Sequence, residues 1–332
     1  MTPRMLEIRE VDVHDDAALK AWHAAVREGE SADRVAPLVF TYESMAASFR
    51  KPGATMRRLP VAAVRGDETV GALLIDLPLR EDTHTAVVEI NVPPARRGQG
   101  VGEALWQWSQ ARTAVEGRSV LSVEVNVPAG RTPADWAGAR FAERRGFSSV
   151  HVENHFVRSL PAPVPPAAVP EGYELVSWAG RVPGDQLASL AAMRTTMSQD
   201  VPSGDAEHET TVWDADRVRV NDERMATGYL SLVSLVRTTE GEPAGYTQIL
   251  VPRDDPDNAL QEDTFVARKH RGRRLSAGLK SANLELLAVH AGSRRFLHTW
   301  TGEDNTAMLR VNRAYGFQPV ERTHTYQRGH RP

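Results

Sequence analysis

The 332-residue sequence contains no cysteine and no long apolar run. Without cysteine, the chain cannot form disulfides, thiolate nucleophiles, cysteine-ligated zinc sites or iron–sulfur clusters. No uninterrupted apolar segment approaches the roughly 18–20 residues that a membrane-spanning helix needs. The N-terminus becomes charged within a few residues and lacks the apolar core of a signal peptide. We therefore expect a cytoplasmic protein that has no membrane partner.

Neither sign of charge is in marked excess, since 40 Lys and Arg residues face 43 Asp and Glu residues, for a net charge of −3. Proteins that bind nucleic acid usually carry a basic excess, so no nucleic-acid partner is predicted. Hydrophobic residues make up 41% and charged residues 25%, as in an ordinary globular protein. At roughly 100–200 residues per domain, the length predicts about two domains.

A proline-rich segment divides the chain nearly in half. Residues 159–172 contain five prolines, which lack a backbone donor and favour the extended polyproline II conformation. We interpret this segment as a linker between an N-terminal domain, residues 1–158, and a C-terminal domain, residues 173–332.

The two halves resemble each other, which indicates a duplicated domain. Equivalent residues recur at an offset of 174 that changes to 170 near the end of each half. The matched pairs include Gly71 and Gly245, Val92 and Val266, Arg97 and Arg271, and Gly146 and Gly316. Hydrophobic periodicity and turn residues predict the order β-α-β-β-β-α-β-α-β in each half, with a polar, irregular stretch after the first helix. Each half is therefore a mixed α/β domain.

A glycine-rich turn between the fourth strand and the next helix carries the clearest chemistry of the first half. The turn runs from Val92 to Gly102 and includes Arg97. Its three glycines, at alternate positions from 98 to 102, lack a Cβ atom, so a ligand can approach the backbone closely. The N–H groups of the helix N-terminus and the helix dipole favour an anion there. We predict a pyrophosphate site.

The spacing of the turn decides between the known kinds of pyrophosphate loop. A dinucleotide-binding turn needs glycine at the sixth position from Gly98, but Glu103 stands there. A P-loop needs a lysine at its end, and this turn has none. The remaining pattern, Arg97-x-x-Gly100-x-Gly102, resembles the acetyl-CoA loop of the GNAT superfamily of N-acetyltransferases.

The resemblance covers both halves and implies two tandem GNAT-like domains, each a mixed, mostly antiparallel sheet flanked by helices. Mycothiol synthases share this tandem layout. It also implies acetyl-CoA as co-substrate, no metal, and transfer of an acetyl group to a primary amine of a small molecule by a monomer or homodimer. The alternatives are a non-catalytic acetyl-CoA-binding or scaffold protein and an enzyme that acetylates a protein amine. The residues implied to bind the cofactor in the first half are Val92, Arg97, Gly98, Gln99, Gly100, Val101 and Gly102.

The second half carries a degraded copy of the same turn. The family's second glycine is replaced by Arg274, and Ser276 stands at the third glycine position. The arginine side chain either crowds the phosphates or contacts them, so we expect unequal CoA affinities, with the first half tighter. The corresponding residues are Val266, Arg271, Gly272, Arg273, Arg274, Leu275 and Ser276. The second half alone has an asparagine after its fifth strand, Asn305, which either contacts the pantetheine arm or caps a helix.

The catalytic residues are harder to assign. Many GNAT enzymes carry a tyrosine acid four residues before the late glycine, where this chain has Ala142 and Asn312. The amine nucleophile must lose a proton, so a base is required. The candidates are Glu89 and Asp263, at equivalent positions of the fourth strand, and His298 on the fifth. Each has the alternative interpretation of a solvated or ion-paired strand residue.

An acidic stretch of the second half suggests the charge of the acceptor. Six carboxylates lie between residues 200 and 216, with no lysine or arginine among them. They are Asp200, Asp205, Glu207, Glu209, Asp214 and Asp216. If this stretch lines the cleft, it favours a positively charged amine as acceptor. The alternative is a solvated loop.

Overall fold

The computed structural model describes residues 5–51, 53–200 and 209–329. These residues form two compact units. The N-terminal unit contains the described residues up to Val152, together with Glu209 and the segment that begins at Glu321. The C-terminal unit contains the described residues from Glu153 to Val320, except Glu209. No helix in the described part of the chain is both long enough and apolar enough to cross a membrane.

The described residues of the first half form six strands and four α-helices. They are β1 (Leu6–Glu10), α1 (Asp16–Ser31), α2 (Tyr42–Arg50), β2 (Met56–Arg65), β3 (Glu68–Pro78), β4 (Thr85–Asn91), α3 (Val101–Val115), β5 (Val120–Pro128), α4 (Ala137–Glu143) and β6 (Ser148–Ser159). The second half repeats this order. Its elements are β7 (Tyr173–Ala179), α5 (Leu187–Asp200), α6 (Ala215–Met225), β8 (Tyr229–Thr238), β9 (Pro243–Pro252), β10 (Asn258–Val266), α7 (Leu275–His290), β11 (Phe296–Gly302), α8 (Thr306–Ala314) and β12 (Gln318–Gly329).

Two of these helices, α2 and α6, occupy the stretch that the sequence predicts to be irregular. Each begins at a side-chain cap: Thr41 accepts a bond from the N–H of Ser44, and Asp214 accepts one from Arg217. The helix α6 buries only Val218, so its sequence shows little apolar periodicity from which it could be predicted.

Each unit has a mixed sheet whose strands are mostly antiparallel. In the N-terminal unit the order is β1-β2-β3-β4-β5-β12, and in the C-terminal unit it is β7-β8-β9-β10-β11-β6. The last strand of each half thus completes the sheet of the other unit. Residues Glu321–Gly329 of β12 pair antiparallel with β5, and Glu153–Ser159 of β6 pair antiparallel with β11.

This exchange of strands differs from the arrangement predicted from the sequence. The predicted domain boundaries, at residues 158 and 173, keep each half of the sequence in one domain. The outer edges of β5 and β11 need an antiparallel strand to bond their backbone groups. Because the two halves are duplicates, β6 and β12 are equivalent strands, and the sequence does not say which one meets which edge.

Among the described strands, each unit has one parallel pair, and its register ends after three residues. In the N-terminal unit, Thr85–Val87 of β4 pair with Val120–Ser122 of β5, and the register ends there. The remainder of both strands diverges, which leaves a wedge whose walls carry backbone groups without a β4–β5 partner. In the C-terminal unit, β10 and β11 pair over three residues and then diverge in the same way.

The N-terminal sheet is covered on both faces. One core cluster lies between the sheet and α3 and contains Leu105 and Trp106. The other lies between the sheet and α1 and α2, where Trp22 is fully buried and its indole N–H lies 3.0 Å from the carbonyl oxygen of Val61. These two layers hold α1 and α3 rigidly beside the wedge.

The proline-rich segment packs on the C-terminal unit instead of acting as a free spacer. The hydroxyl of Ser281 on α7 donates to the carbonyl of Pro165 at 2.6 Å. Val164 joins the apolar cluster under α7, and Val169 lies against Gly278. The segment therefore covers α7.

Candidate active site

The loop after β4 has the geometry of an anion site. A short 3-10 turn at Pro94–Arg96 leads to Gly98 and Gly100, whose φ angles are +73° and +80°. Only glycine adopts this left-handed region freely. No atom lies within 4 Å of the Cβ position of either glycine, so the loop faces open space. The helix α3 begins directly after Gly100, and its first N–H groups have no partner inside the helix.

Arg97 and Gln99 brace this loop with their side chains. Arg97 donates from Nε to the carbonyl of Val92 at 3.1 Å and from Nη2 to the carbonyl of Gly29 at 3.3 Å. Gln99 donates to the carbonyl of Ala95 at 3.0 Å. The side chains of both residues therefore stabilise the loop. A phosphate group there would be bound mainly by backbone N–H groups.

Gly102 and Val101 close the inner side of the loop. A Cβ atom at Gly102 would lie 3.4 Å from the ring of Phe141 and 3.7 Å from Val92, which is ordinary contact distance. Val101 is buried in the core beneath α3. The missing side chain at position 102 thus leaves a narrow space between the helix start and α4.

A cleft of about 950 Å³ opens from this loop into the wedge between β4 and β5. Its walls are the loop, the diverging strand ends, α4 and the last turn of α1. Carboxylates line it at several points. They are Glu30, Asp33, Glu89, Glu103, Glu124 and Asp135.

Glu89 lies on β4 at the wall of the cleft and is half-buried. Burial raises the pKa of Glu89 to about 8, and the nearby charge of Glu30 acts in the same direction. The amide of Asn91 donates to Glu89 at 2.6 Å, which opposes the shift. A carboxyl with this pKa exchanges its proton near neutral pH, which suits a general base.

A buried arginine holds the neighbours of Glu89. Arg34 forms a bidentate pair with Glu321, with N···O distances of 2.9 and 2.5 Å, and contacts Glu30 at 2.9 Å. The exposed fractions of the side chains of Arg34 and Glu321 are 6% and 2%. Glu30 also hydrogen-bonds Glu89, and burial raises the pKa of Glu30. A hydrogen bond between two carboxyl groups requires one shared proton, so Glu30 and Glu89 titrate as a pair.

The equivalent loop of the C-terminal unit carries its own counter-ion. Asp200, at the end of α5, contacts Arg268 at 2.7 Å and Arg271 at 2.6 Å. These arginines hold the pKa of Asp200 below its usual range. Arg274 occupies the left-handed position at the start of α7, with φ +61°.

The other predicted residues of this loop divide into backbone and core positions. Gly272 is left-handed, with φ +79°, and Arg273 donates to the carbonyl of Lys269 at 2.6 Å. Leu275 is buried in a core cluster, and Ser276 lies in the first turn of α7. Val266 accepts a bond from Arg271 through its carbonyl, as Val92 does from Arg97.

The three predicted bases are divided between the two units. Glu89 lies in the N-terminal unit, while Asp263 on β10 and His298 on β11 lie in the C-terminal unit. Tyr246 donates to Asp263 at 2.5 Å, and burial raises the pKa of Asp263. Asp263 thus has a tyrosine partner, which Glu89 does not.

His298 is fully buried inside a chain of side-chain hydrogen bonds. Its Nε2 lies 2.9 Å from Oδ1 of Asn258, and its Nδ1 lies 2.9 Å from Nε2 of His155. Because Asn258 donates its amide to Asp255, its oxygen accepts from His298, which therefore carries its proton on Nε2. His155 stacks on Trp300 at 4.2 Å. This arrangement ties β6 to β11 and engages both nitrogens of His298.

The late positions of the second half have structural partners. Asn305 accepts from the N–H of Met308 at 3.2 Å and caps α8. Its contact with a pantetheine arm stays a prediction. Asn312 donates to Thr301 at 2.9 Å and is buried. Tyr315 is buried, with its hydroxyl 2.7 Å from that of Ser281.

The described carboxylates of the acidic stretch at 200–216 have partners within the protein, Asp200 among them. Glu209 contacts Asp82 in the N-terminal unit, Asp214 caps α6, and Asp216 pairs with Arg219. Asp205 and Glu207 lie outside the described residues. Within the described ranges, no group of three or more His, Cys, Asp or Glu residues could hold a metal ion.

The cleft contains functional candidates that the sequence did not single out. Glu30 lies in the last turn of α1, and Arg34 follows the helix four residues later, so their opposite charges at this spacing could have indicated an ion pair. Asn126 on β5 also lines the cleft. Glu321 comes from the other half of the sequence, and no local signal connects it with this site.

The fold matches known proteins, although no family model and no curated protein sequence matches the chain. A tandem GNAT protein from the clavulanic acid biosynthesis pathway has a TM-score of 0.82 and 26% identity, with 99% of each chain covered. This chain has the tandem GNAT fold. The prediction of a GNAT-type acyltransferase, made from the glycine-rich loop, is confirmed by this match.

More distant structures agree with the tandem GNAT fold. A GCN5-related N-acetyltransferase from Sphaerobacter thermophilus has a TM-score of 0.70 at 18% identity, covering 100% of this chain and 98% of its own. A Saccharomyces cerevisiae N-myristoyltransferase with bound myristoyl-CoA has a TM-score of 0.60 at 12% identity, covering 98% of this chain and 79% of its own. At these identities, the two structures support the fold alone.

Proposed function

We propose that this acyl-CoA-dependent N-acyltransferase uses acetyl-CoA to acetylate a primary amine of a small molecule in the cleft of the N-terminal unit. The observation that carries the proposal is one continuous cleft. It has a left-handed glycine loop at a helix N-terminus at one end and Glu89, a carboxyl that titrates near neutral pH, in its wall.

The residues present fit acetyl-CoA at this position. The open backbone between Gly98 and Gly102 suits the pyrophosphate, because helix N-terminal N–H groups bind anions. The diverging edges of β4 and β5 offer backbone groups to the pantetheine arm. Acetyl-CoA supplies an activated thioester, whose carbonyl the edge N–H groups of β4 can polarise.

The protein residues then move protons. The neutral amine attacks the thioester carbonyl, an N–C bond forms, the C–S bond breaks, and the CoA thiolate leaves and takes up a proton. Glu89, ionised above its pKa, accepts the proton that the amine loses, directly or through one water. Holding both reactants in a fixed wedge supplies a large share of the rate.

The cleft favours a cationic acceptor. Glu30, Glu89 and Glu124 are among the carboxylates that line the cleft, and Arg34, one of several arginines in the lining, is paired with Glu321. Such a wall attracts an ammonium group, and the attraction weakens as salt increases. These cleft residues support the expected positive charge better than the described residues of the acidic stretch at 200–216.

The test measures release of free CoA with a panel of amines, for the wild type, Glu89→Gln and Asp263→Asn. We expect Glu89→Gln to lower kcat by about 10²–10⁴-fold, the usual contribution of a general base, while acetyl-CoA still binds. Asp263→Asn changes the equivalent position of the C-terminal unit and is the matched control, which should stay near the wild type. Absence of CoA release with every amine would favour a non-catalytic acetyl-CoA-binding protein.

A further inference from the structure

The cleft of the N-terminal unit contains a buried ionic chain that the acyl-transfer mechanism does not explain. It begins on β12, the strand that the second half of the sequence contributes to this unit. Glu321 holds Arg34 through two bonds, Arg34 holds Glu30, and Glu30 hydrogen-bonds Glu89. The chain thus connects β12 and the end of α1 with the carboxyl of Glu89 on β4.

Stability alone does not account for such a chain. Removing charges from water costs several kcal/mol for each ion, and an apolar replacement of a buried pair is often equally stable. Arg34 and Glu321 are almost completely buried, and Arg34 lines the cleft together with Glu30 and Glu89. Their position therefore suggests a role in the reaction.

We propose that Arg34 and Glu321 are positioning residues for the acyl transfer: Glu321 fixes Arg34, and Arg34 holds Glu30 against Glu89, so that one proton is shared beside the acceptor amine. This inference rests on the proposed use of Glu89 as the base. The shared proton leaves the pair when Glu89 becomes the base, and the positive charge of Arg34 limits the cost of having two adjacent carboxylates.

The charges around Glu89 come from every element that packs against it. Glu30 lies in the last turn of α1, Arg34 in the loop that follows it, Asp76 on β3, Glu124 on β5 and Glu321 on β12. Asp76 has its own partner in Arg58, at 3.4 Å. The charge of Arg34 lowers the pKa of Glu30, and the charge of Glu321 raises it. The two members of the buried pair therefore act on the shared proton in opposite directions.

This opposition gives a test that a merely structural role would not pass. The measurement is the pH profile of kcat/KM with an acceptor amine of low pKa, so that ionisation of the amine does not dominate. Arg34→Gln removes a positive charge and should shift the rise in activity to higher pH. Glu321→Gln removes a negative charge, keeps a hydrogen-bond acceptor for Arg34, and should shift the rise to lower pH. Each shift should be about one pH unit, the lower range for a charge near a carboxyl.

Further variants keep the test decisive. Arg34→Gln leaves Glu321 buried without its counter-ion and can fail to fold, in which case Glu321→Gln alone decides. The double variant removes both charges, should fold, and should return the profile close to that of the wild type with a lower kcat. Arg57→Gln breaks a partly buried ion pair with Glu116 in the same unit and should leave the profile in place.

Unchanged profiles in the folded variants, or shifts in the same direction, would overturn the inference. Failure of the proposed function has a different signature. If Glu89 is not the base, Glu89→Gln itself keeps the wild-type rise in activity with pH. If Glu89→Gln abolishes that rise while Arg34 and Glu321 are inert, only the positioning role fails.

Discussion

At the scale of single residues, the site depends on two positions that the fold constrains in different ways. Gly100 has a left-handed backbone and faces open space, so its role is to leave room for a ligand. Glu89 is held in the wall of the cleft, where burial and the charge of Glu30 change its chemistry. Gly100 therefore acts through the absence of a side chain, and Glu89 acts through the raised pKa of its carboxyl.

We predict that Gly100→Glu abolishes CoA binding in the N-terminal unit, because it places a negative side chain where the pyrophosphate should lie. Gly117→Glu is the matched control: Gly117 has φ +69°, has no atom near its Cβ position, and follows the other end of α3. Both variants carry the same kind of backbone strain, about 1 kcal/mol. Calorimetry should show one binding event lost in the first variant only. Unchanged CoA stoichiometry in folded Gly100→Glu would reject this loop.

The pKa of Glu89 predicts two pH effects of opposite sign. As a base, Glu89 works when ionised, so kcat/KM should rise with pH through about 8. For stability, a carboxyl whose pKa is higher in the folded state binds more protons there, so its contribution falls as the pH rises from about 4.5 to about 8. Glu89→Gln should flatten the free energy of unfolding over this interval. An equally steep decline in Glu89→Gln would contradict the assignment.

At the scale of elements, the two phosphate loops show what duplication has preserved and changed. Each loop begins with an arginine that donates to the carbonyl of the preceding strand, Arg97 or Arg271. The second loop replaces the family's glycine with Arg274 and adds Asp200 as a neighbour of the arginines. A carboxylate there competes with a phosphate for the same cations.

Replacing Asp200 with Asn should strengthen CoA binding by the C-terminal unit. The substitution frees Arg268 and Arg271 for a phosphate, and because these arginines are largely exposed, the gain should be less than about 1 kcal/mol, or severalfold in Kd. Calorimetry on Gly100→Glu, in which only the second site is expected to bind, measures this change. Asp216→Asn, at another exposed ion pair, is the control. Weaker binding by Asp200→Asn would show that Asp200 supports the site.

Features of the site that lie within one continuous segment could be predicted from the sequence. Features that bring together residues distant in the sequence could not. The glycine loop is one continuous segment whose spacing is readable, and Glu89 follows from its distance to that loop. Asn305 was ambiguous because a helix cap and a ligand contact use the same side chain. The pairing of Arg34 with Glu321 joins residues far apart in sequence, so it required the fold.

At the scale of the molecule, the exchanged strands make each unit depend on both halves of the sequence. The N-terminal unit obtains its glycine loop and Glu89 from the first half and Glu321 from the second. Tyr326 of the same strand is buried in the N-terminal core, where its hydroxyl donates to Glu143 at 3.1 Å. The duplicated sequence therefore predicts two similar domains, whereas the structure builds each unit from more than one segment of the chain.

The most direct test of the central claim is a crystal structure of the full chain soaked with acetyl-CoA and with a non-reactive amine. The account predicts electron density for the pyrophosphate at Gly98–Gly102, with the thioester in the wedge between β4 and β5 and the amine within hydrogen-bond reach of Glu89, directly or through one water. Density for acetyl-CoA only at the loop that contains Arg274, with the N-terminal cleft empty at saturating ligand, would contradict it.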